Sequence, residues 1–529
     1  MAMLTRLNDE KRPDEILDAM TQTATSRRGL LAGGLTMALG AAAGMASAQN
    51  GMAPNRSGSR PPGSGGNGNA FESGGASGGA SFNRSWANSK KKLLRKISYG
   101  PTTTDVAEID NLGYSNYLEQ QLNFSAIDDS ACEALVSGHC RYIHLSVAEL
   151  NAIQNPEWYP GPDAMDAMAI RSAHSKRQLY QRCVEFWWDH FWIAAVKDSS
   201  FAEFQRSVIW PNAMGTFRDL LVASANHGAM MIYLDNHQSF HTQTNINYAR
   251  ELLELHTVGV NGGYVEADIY QVAEIMTGWG VHENLPLGRY DPNAEVFKFH
   301  PARKSPGSYT VMGQTFTSTG KQQGDDLLDW LAAHPATMRH ITDKLCEWFL
   351  GRKASSAILQ QVSQVWGNHG DLKAVLRVIL AETNVASSLP SFKRPFHMMA
   401  GLMRECNAMP ITWGKFNHLL KLNGSDTSKF PQPDGLPNGF HAWSGGMIKR
   451  FHYLTRATRG FSDFDIDPVK QALQALPNDG AKVKYINDHF FLGELPVSDQ
   501  VFIRRYMKQG NRDMQTLAIA LCSPTYQWF

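Results

Sequence analysis

The run SKRQLYQRCVEFWWDHFWIAAVK, residues 175–197, limits the possible folds more than any other part of the sequence. With successive side chains turned by about 100°, apolar groups beyond Cys183 point in nearly every direction: Val184, Phe186, Trp187, Trp188, Phe191, Trp192 and Ile193. A helix apolar all round has no face to offer water, so it must lie at the centre and be wrapped by other elements. The available wrapping is itself helical. Segments of period 3.6 recur at 103–123, 215–226, 245–258, 266–277, 325–350, 371–381 and 394–407, divided by Gly, Pro and Asn. One exception has period two: EVFKFH (295–300) and SYTVMGQTF (308–316) flank a Pro- and Gly-containing turn and predict a hairpin. The expected fold is mainly α, a multi-helical array with one small β-hairpin insertion and long loops, above all over 420–445.

The N-terminal part is organised differently. Ser26-Arg27-Arg28-Gly29-Leu30-Leu31 precedes a Gly/Ala-rich, mildly apolar run and then Ala46-Ser47-Ala48, so residues 1–48 read as a twin-arginine signal peptide. A membrane anchor is the alternative, but the run falls short of the ~20 strongly apolar residues that span a bilayer. Residues 49–86 are too poor in large apolar side chains to repay the entropy of folding and read as a Gly/Ser-rich disordered linker. Residues 87–529 then form the helical domain. The expected partner is the twin-arginine export machinery, and the expected location is periplasmic or secreted.

Fifty basic and forty-nine acidic residues leave no electrostatic footprint for nucleic acid. Four of the six cysteines (Cys183, Cys346, Cys406 and Cys522) stand alone, without the C-x-x-C spacing of a structural zinc site, and read as buried thiols. Cys132 and Cys140 are close enough in sequence for a disulfide, or they too are free thiols.

The candidate chemistry centres on NYARELLELHTVGV, residues 247–260. Asn247, Arg250, Glu251 and Glu254 share one arc of about 100° on a helical wheel. Glu251 and Glu254, three residues apart, can share a proton, act as acid and base, or hold a metal together. Arg250 can equally pair with Glu254, and the whole arc can be the wet face of an amphipathic helix. His256, on the apolar side, reads as a core residue. His190 lies between Cys183, Phe186 and Ala194 on its own wheel. It is either a proton carrier or a neutral His bonded to a backbone carbonyl. Glu185 and Asp189 share that helix's polar edge and can close it against a cation or an Arg. Asp268 projects with Ile275 and Trp279, or else serves the free N–H groups of a helix start. The sequence has no G-x-S-x-G elbow, P-loop or H-E-x-x-H.

The segments FWWDHF, FRDLLVASANHGAMMIYLDN, NYARELLELHTVGVNGGYVEADIYQVAEIMTGW, HPATMRHITDKLCEWF and PQPDGLPNGFHAW, in that order, resemble the bacterial domain-of-unknown-function 1800 family. The resemblance covers about residues 90–529, implies a mostly helical and commonly exported protein, and brings no established reaction. It also implies that Asn247, Arg250, Glu251 and Glu254 are more than a solvent face, and that Asp235, Asn236, Asp268, Trp279 and His190 belong to the same pocket. The chain departs from the pattern at Trp188, where members often have His, at Ile246, where they often have Glu, and at Lys304-Ser305, where a His-Asp pair is frequent. No metal ligand is therefore assigned, and the cofactor and oligomeric state are left unknown. Two classes remain. One is an extracytoplasmic hydrolase or lyase, acting on a small molecule or a polymer such as a carbohydrate. In it Glu251, Glu254 and His190 do the chemistry, and Asn247, Arg250, Asp235, Asp268 and Trp279 hold the substrate. The other is a non-catalytic helical binding or assembly protein of the cell envelope.

Overall fold

The helix Gln178–His190 is buried on every face except at Tyr180 and Asp189, as its all-round apolar pattern requires. It stops at His190, earlier than the periodicity to Lys197 predicts: Phe191 leaves helical geometry as the C-cap. The computed structural model describes residues 86, 88–153, 160–193, 202–282, 296–410, 412–423, 425, 433–458, 465–508 and 513–529. The expected signal peptide and all of the expected linker but Trp86 lie outside these residues. Trp86 itself is buried, with the Arg95 guanidinium 4.5 Å from its ring centre.

Around the central helix the chain lays down helices whose buried residues follow the 3.6 period. Leu372–Ile379 buries Leu372, Val375, Leu376 and Ile379, the i, i+3, i+4, i+7 stripe of an amphipathic helix. Helix Pro160–His174 packs against Pro395–Cys406 and Lys415–Leu422, while Phe217–Ala225 packs on Lys321–Ala333. At the C-terminal end Met447–Thr458, Asp479–Phe491 and Val497–Met507 gather round Asp513–Leu521. Local caps fix where helices begin. Thr102 and Asp105 form a capping box, and Asp105 also accepts two hydrogen bonds from Arg404 at 2.9 Å. Pro335 opens Pro335–Leu350 at the position where its missing N–H costs nothing.

The central helix carries charge inside the core. Glu185 accepts hydrogen bonds from the Tyr99 hydroxyl (2.8 Å), from His397 Nε2 (2.8 Å) and from Arg182 (3.3 Å). The Arg182 guanidinium lies 4.6 Å from the centre of the Trp348 ring. Burial alone would push the Glu185 carboxyl up, but His397 and Arg182 hold it down to about 2.

The small β structure is arranged differently from the predicted pairing. β1 (Trp279–Val281) pairs antiparallel with β2 (Phe297–Phe299), whereas β3 (Tyr309–Val311) pairs with β4 (Gln314–Phe316). The second alternating segment is thus a complete hairpin on its own. Met312 and Gly313 supply its two-residue turn with φ of 48° and 85°, the left-handed pair that matches the twist of a tight hairpin. The first segment finds its partner in the TGW region instead. All six cysteines are buried free thiols, so Cys132 and Cys140 are not bridged. Among the described residues no helix is long and apolar enough to cross a membrane.

Candidate active site

The segment 247–260 enters as a short α-helix, Asn247–Glu251, and continues as a π turn, Leu252–His256. A π turn spaces side chains differently from the uniform wheel, and such turns recur at functional sites. It allows Leu252, Leu253 and His256 all to be buried while Asn247, Arg250, Glu251 and Glu254 remain half-buried. The two acids end in different surroundings. Glu254 accepts from Arg250 (3.2 Å) and stands beside the Tyr264 hydroxyl. Arg250 then reaches on to Glu266 with contacts of 2.6 and 3.1 Å. Two carboxylates thus already answer the Arg250 charge through three of its N–H donors. Glu251 has no hydrogen bond or ion pair among the described residues, and its carboxyl is pushed up to about 7 by burial, then by Glu254. Asp434 adds to that push, and Glu251 and Asp434 both act on Tyr233, so the three groups lie within electrostatic reach of one another.

Asp434 belongs to the loop PDGLPNG, residues 433–439, which is fastened to the end of the central helix. The Leu436 N–H donates to Asp189 Oδ1 (2.8 Å), and Arg394 donates to Asp189 Oδ2 (2.8 Å), to Asn438 Oδ1 (2.7 Å) and to the Leu436 carbonyl (2.6 Å). The polar edge of the central helix is therefore closed by an arginine, one of its two expected partners. Gly435 has φ of 81°, and a Cβ there would overlap the Asp189 backbone oxygen and lie 3.0 Å from its Oδ1. Gly435→Ala should therefore displace the loop at a cost of about 1–3 kcal/mol, the usual range for overpacking. Urea denaturation reads the loss, and an unchanged midpoint would mean that the loop does not depend on this contact.

Between loop and helix lies a cavity of ≈ 60 Å³ lined by Phe186, Asp189, His190, Lys344, Asp434 and their neighbours. Lys344 is half-buried on helix Pro335–Leu350 and makes no hydrogen bond or ion pair among the described residues. Burial lowers its pKa, opposed by Asp189, Asp434 and Glu347. Asp434 thus lies within electrostatic reach of both Lys344 and Glu251, although Glu251 does not line the cavity.

His190 Nε2 is 3.2 Å from the His256 carbonyl, which can only accept, so Nε2 carries the proton. Burial first, and then Lys344, holds His190 well below its ordinary pKa, leaving Nδ1 as an acceptor without a partner among the described residues. His256 and His340, with ring centres 6.1 and 6.4 Å from that of His190, are held down to about 3 and about 4 for the same reasons. The geometry of His190 is that of a residue bonded to a backbone carbonyl, with burial disfavouring its charged form.

The remaining expected pocket residues lie elsewhere. Asp235 is exposed with φ of 59°, while Asn236 is buried and clamps the Met276 and Trp279 carbonyls at 3.1 and 2.8 Å. Asp268 serves its helix start, accepting from Val265 N–H (2.8 Å), and holds the β3–β4 turn through Met312 N–H (2.7 Å). Trp279 is wholly buried, and a Cβ on Gly324 would lie 2.6 Å from its ring. Asn236 and Asp268 thus tie local backbone together, and none of Asp235, Asp268 and Trp279 lines the cavity. Asp129, Cys132 and Glu133 come together with metal-like spacing, yet Asp129 accepts from Ser175 (2.6 Å) and Glu133 is held twice by Arg171 (2.7 and 2.6 Å). Burial raises the Cys132 thiol to about 12, which disfavours the thiolate that a metal would bind.

Tyr233, Lys344 and Asp434 escaped the sequence reading, although YLDN, HPATMRHITDKLCEWF and PQPDGLPNGFHAW carry them. Fold and site together define a mainly α protein with a small cleft in which Asp434, Glu347 and the Lys344 amine have no hydrogen bond or ion pair among the described residues. The chain belongs to the family described as "Protein of unknown function (DUF1800)", whose model matches residues 92–528. No curated protein and no solved structure matches it.

Proposed function

We propose that the chain is a hydrolase or lyase in which Glu251 gives and takes the reacting proton. The observation that carries this reading is the Glu251 carboxyl itself: half-buried, without a partner among the described residues, and pushed up to about 7 by burial and by Glu254. A general acid–base works best when its pKa lies near the operating pH. The second carboxylate of the pair is Asp434 in place of Glu254, which is occupied by Arg250. Among the described residues Glu251, Asp434 and Glu347 have no ion-pair partner and Lys344 is the amine beside them, which favours a neutral hydroxylated substrate over an anion, in keeping with a carbohydrate or a related polymer. The test is a screen of glycosides, esters and polysaccharides with the wild type, Glu251→Gln and Glu254→Gln. Activity lost in the first variant and largely kept in the second supports the assignment; equal activity in all three ends it.

The paired arginines support export by the twin-arginine route to the periplasm or beyond. Replacing Arg27 and Arg28 together by Lys should leave the protein in the cytoplasmic fraction on immunoblotting, and unchanged export would exclude that route. A non-catalytic binding or assembly role is the second reading. It draws support from the size of the cavity, ≈ 60 Å³, against about 300–1,000 Å³ for most ligand pockets.

A further inference from the structure

We infer that Lys344 is a nucleophilic amine, placed to condense with the carbonyl carbon of a small aldehyde or ketone. The inference rests on the reading that this cleft is where chemistry occurs, and it adds a covalent step and a substrate class. Other cations close to the central helix are held firmly. Arg394 is bound by Asp189 and Asn438, and Arg182 by Glu185. Lys96 donates to the Leu389 carbonyl at 2.6 Å. Lys344 differs in having no bond at all among the described residues, although it lines a cavity whose other walls carry Asp189, Asp434 and Glu347.

A half-buried ammonium without a hydrogen-bonded partner is costly, and the group relieves the cost by losing its proton. The free amine then has a nucleophilic lone pair. The aromatic walls Phe186 and Trp348, whose ring centres are 5.8 Å apart, withdraw it from water on one side, and the exposed Asp434 and Glu347 mark the open side. In the step itself the nitrogen lone pair attacks the carbonyl carbon and the oxygen takes up a proton. The resulting carbinolamine loses a proton from nitrogen. Its hydroxyl, protonated once more, leaves as water while the nitrogen lone pair closes the C=N bond. Asp434 and Glu347 are the acids that face the amine, and they supply and recover these protons. Water is the sole co-product, and neither oxidant nor reductant is needed.

The experiment uses the full chain with propanal and sodium cyanoborohydride, and quantifies N-propylated lysines by peptide mass spectrometry. Lys344 should be modified severalfold faster than Lys484, whose side chain is 76% exposed. Lys393 is an internal control. Burial lowers this amine too, in its case to about 8, but the cavity it lines is only ≈ 20 Å³, so it should react slowly. Lys344→Arg should remove the fast site and leave the rest of the pattern unchanged. If that variant does not fold, the ratio of Lys344 to Lys484 in the wild type still decides. Modification of Lys344 no faster than Lys484 overturns the inference. That failure, together with turnover that still depends on Glu251, would remove the imine and leave the acid–base reading standing. Preferential labelling of Lys344 beside a fully active Glu251→Gln variant would do the reverse.

Discussion

Glu251→Gln is expected to lower turnover about 10²- to 10⁴-fold, the usual contribution of a positioned general acid or base. Glutamine keeps the shape and polarity of the side chain but cannot exchange a proton, so the loss should fall mainly on kcat. The wild-type profile of kcat/KM against pH should bend near 7, where Glu251 titrates, and that bend should vanish in the variant. A second consequence needs no substrate. Burial raises the folded pKa of Glu251 to about 7 from an ordinary 4.5, so the native state holds this proton more tightly than the unfolded chain. Stability contributed by the bound proton is present below the unfolded value and is lost as pH rises from 4.5 through 7. At pH 8 the wild type therefore carries a poorly solvated carboxylate that glutamine removes. Glu251→Gln should be the more stable protein there by about 1–3 kcal/mol, after allowance for partial exposure, and should have no such advantage at pH 5. Urea denaturation at the two pH values decides; equal differences at both would show that Glu251 is an ordinary surface acid.

Glu185→Ala is expected to be the most damaging substitution for stability, at about 3–5 kcal/mol. Removing the carboxylate leaves Arg182 charged and 1% exposed, with neither water nor an acid to answer it. The hydroxyl of Tyr99 and Nε2 of His397 lose their acceptor at the same time. Against a typical total stability of about 5–15 kcal/mol, such a loss threatens folding itself, so the soluble yield should fall along with the denaturation midpoint. The pair Arg182→Met with Glu185→Leu removes both charges and refills their volume, and should recover most of the loss. A single variant within about 1 kcal/mol of wild type would mean that water reaches these charges. The wild-type contribution is also pH-dependent. Glu185 is held down to about 2, so its stabilisation is present above 4.5 and disappears as pH falls from 4.5 towards 2.

Part of the site was legible because a helix writes its surroundings into its period. Glu251 stood out as an acid beside a buried stripe, and Asp189 as a polar edge in need of an arginine. The family motif suggested Asp268 and Asp235 for the pocket wall, but such a motif does not say whether a residue caps a helix or lines a pocket. For Asp268 the milder reading, service to a helix start, is the one the geometry supports. The alternating segment at 295–300 was read as a strand, but a strand's partner is chosen by whichever backbone comes alongside, and here that was β1.

The sequence by itself determined that the chain is mainly helical and that Gln178–His190 lies inside. Each depends on interactions within a few residues, or on apolar surface that has no alternative to burial. Only the tertiary structure decided which carboxyl is left unpaired. Glu254 meets Arg250 and Tyr264, while Glu251 faces Asp434 from a loop nearly two hundred residues away. Charge neighbours acting through space are set by how distant segments pack, and no local pattern encodes that distance.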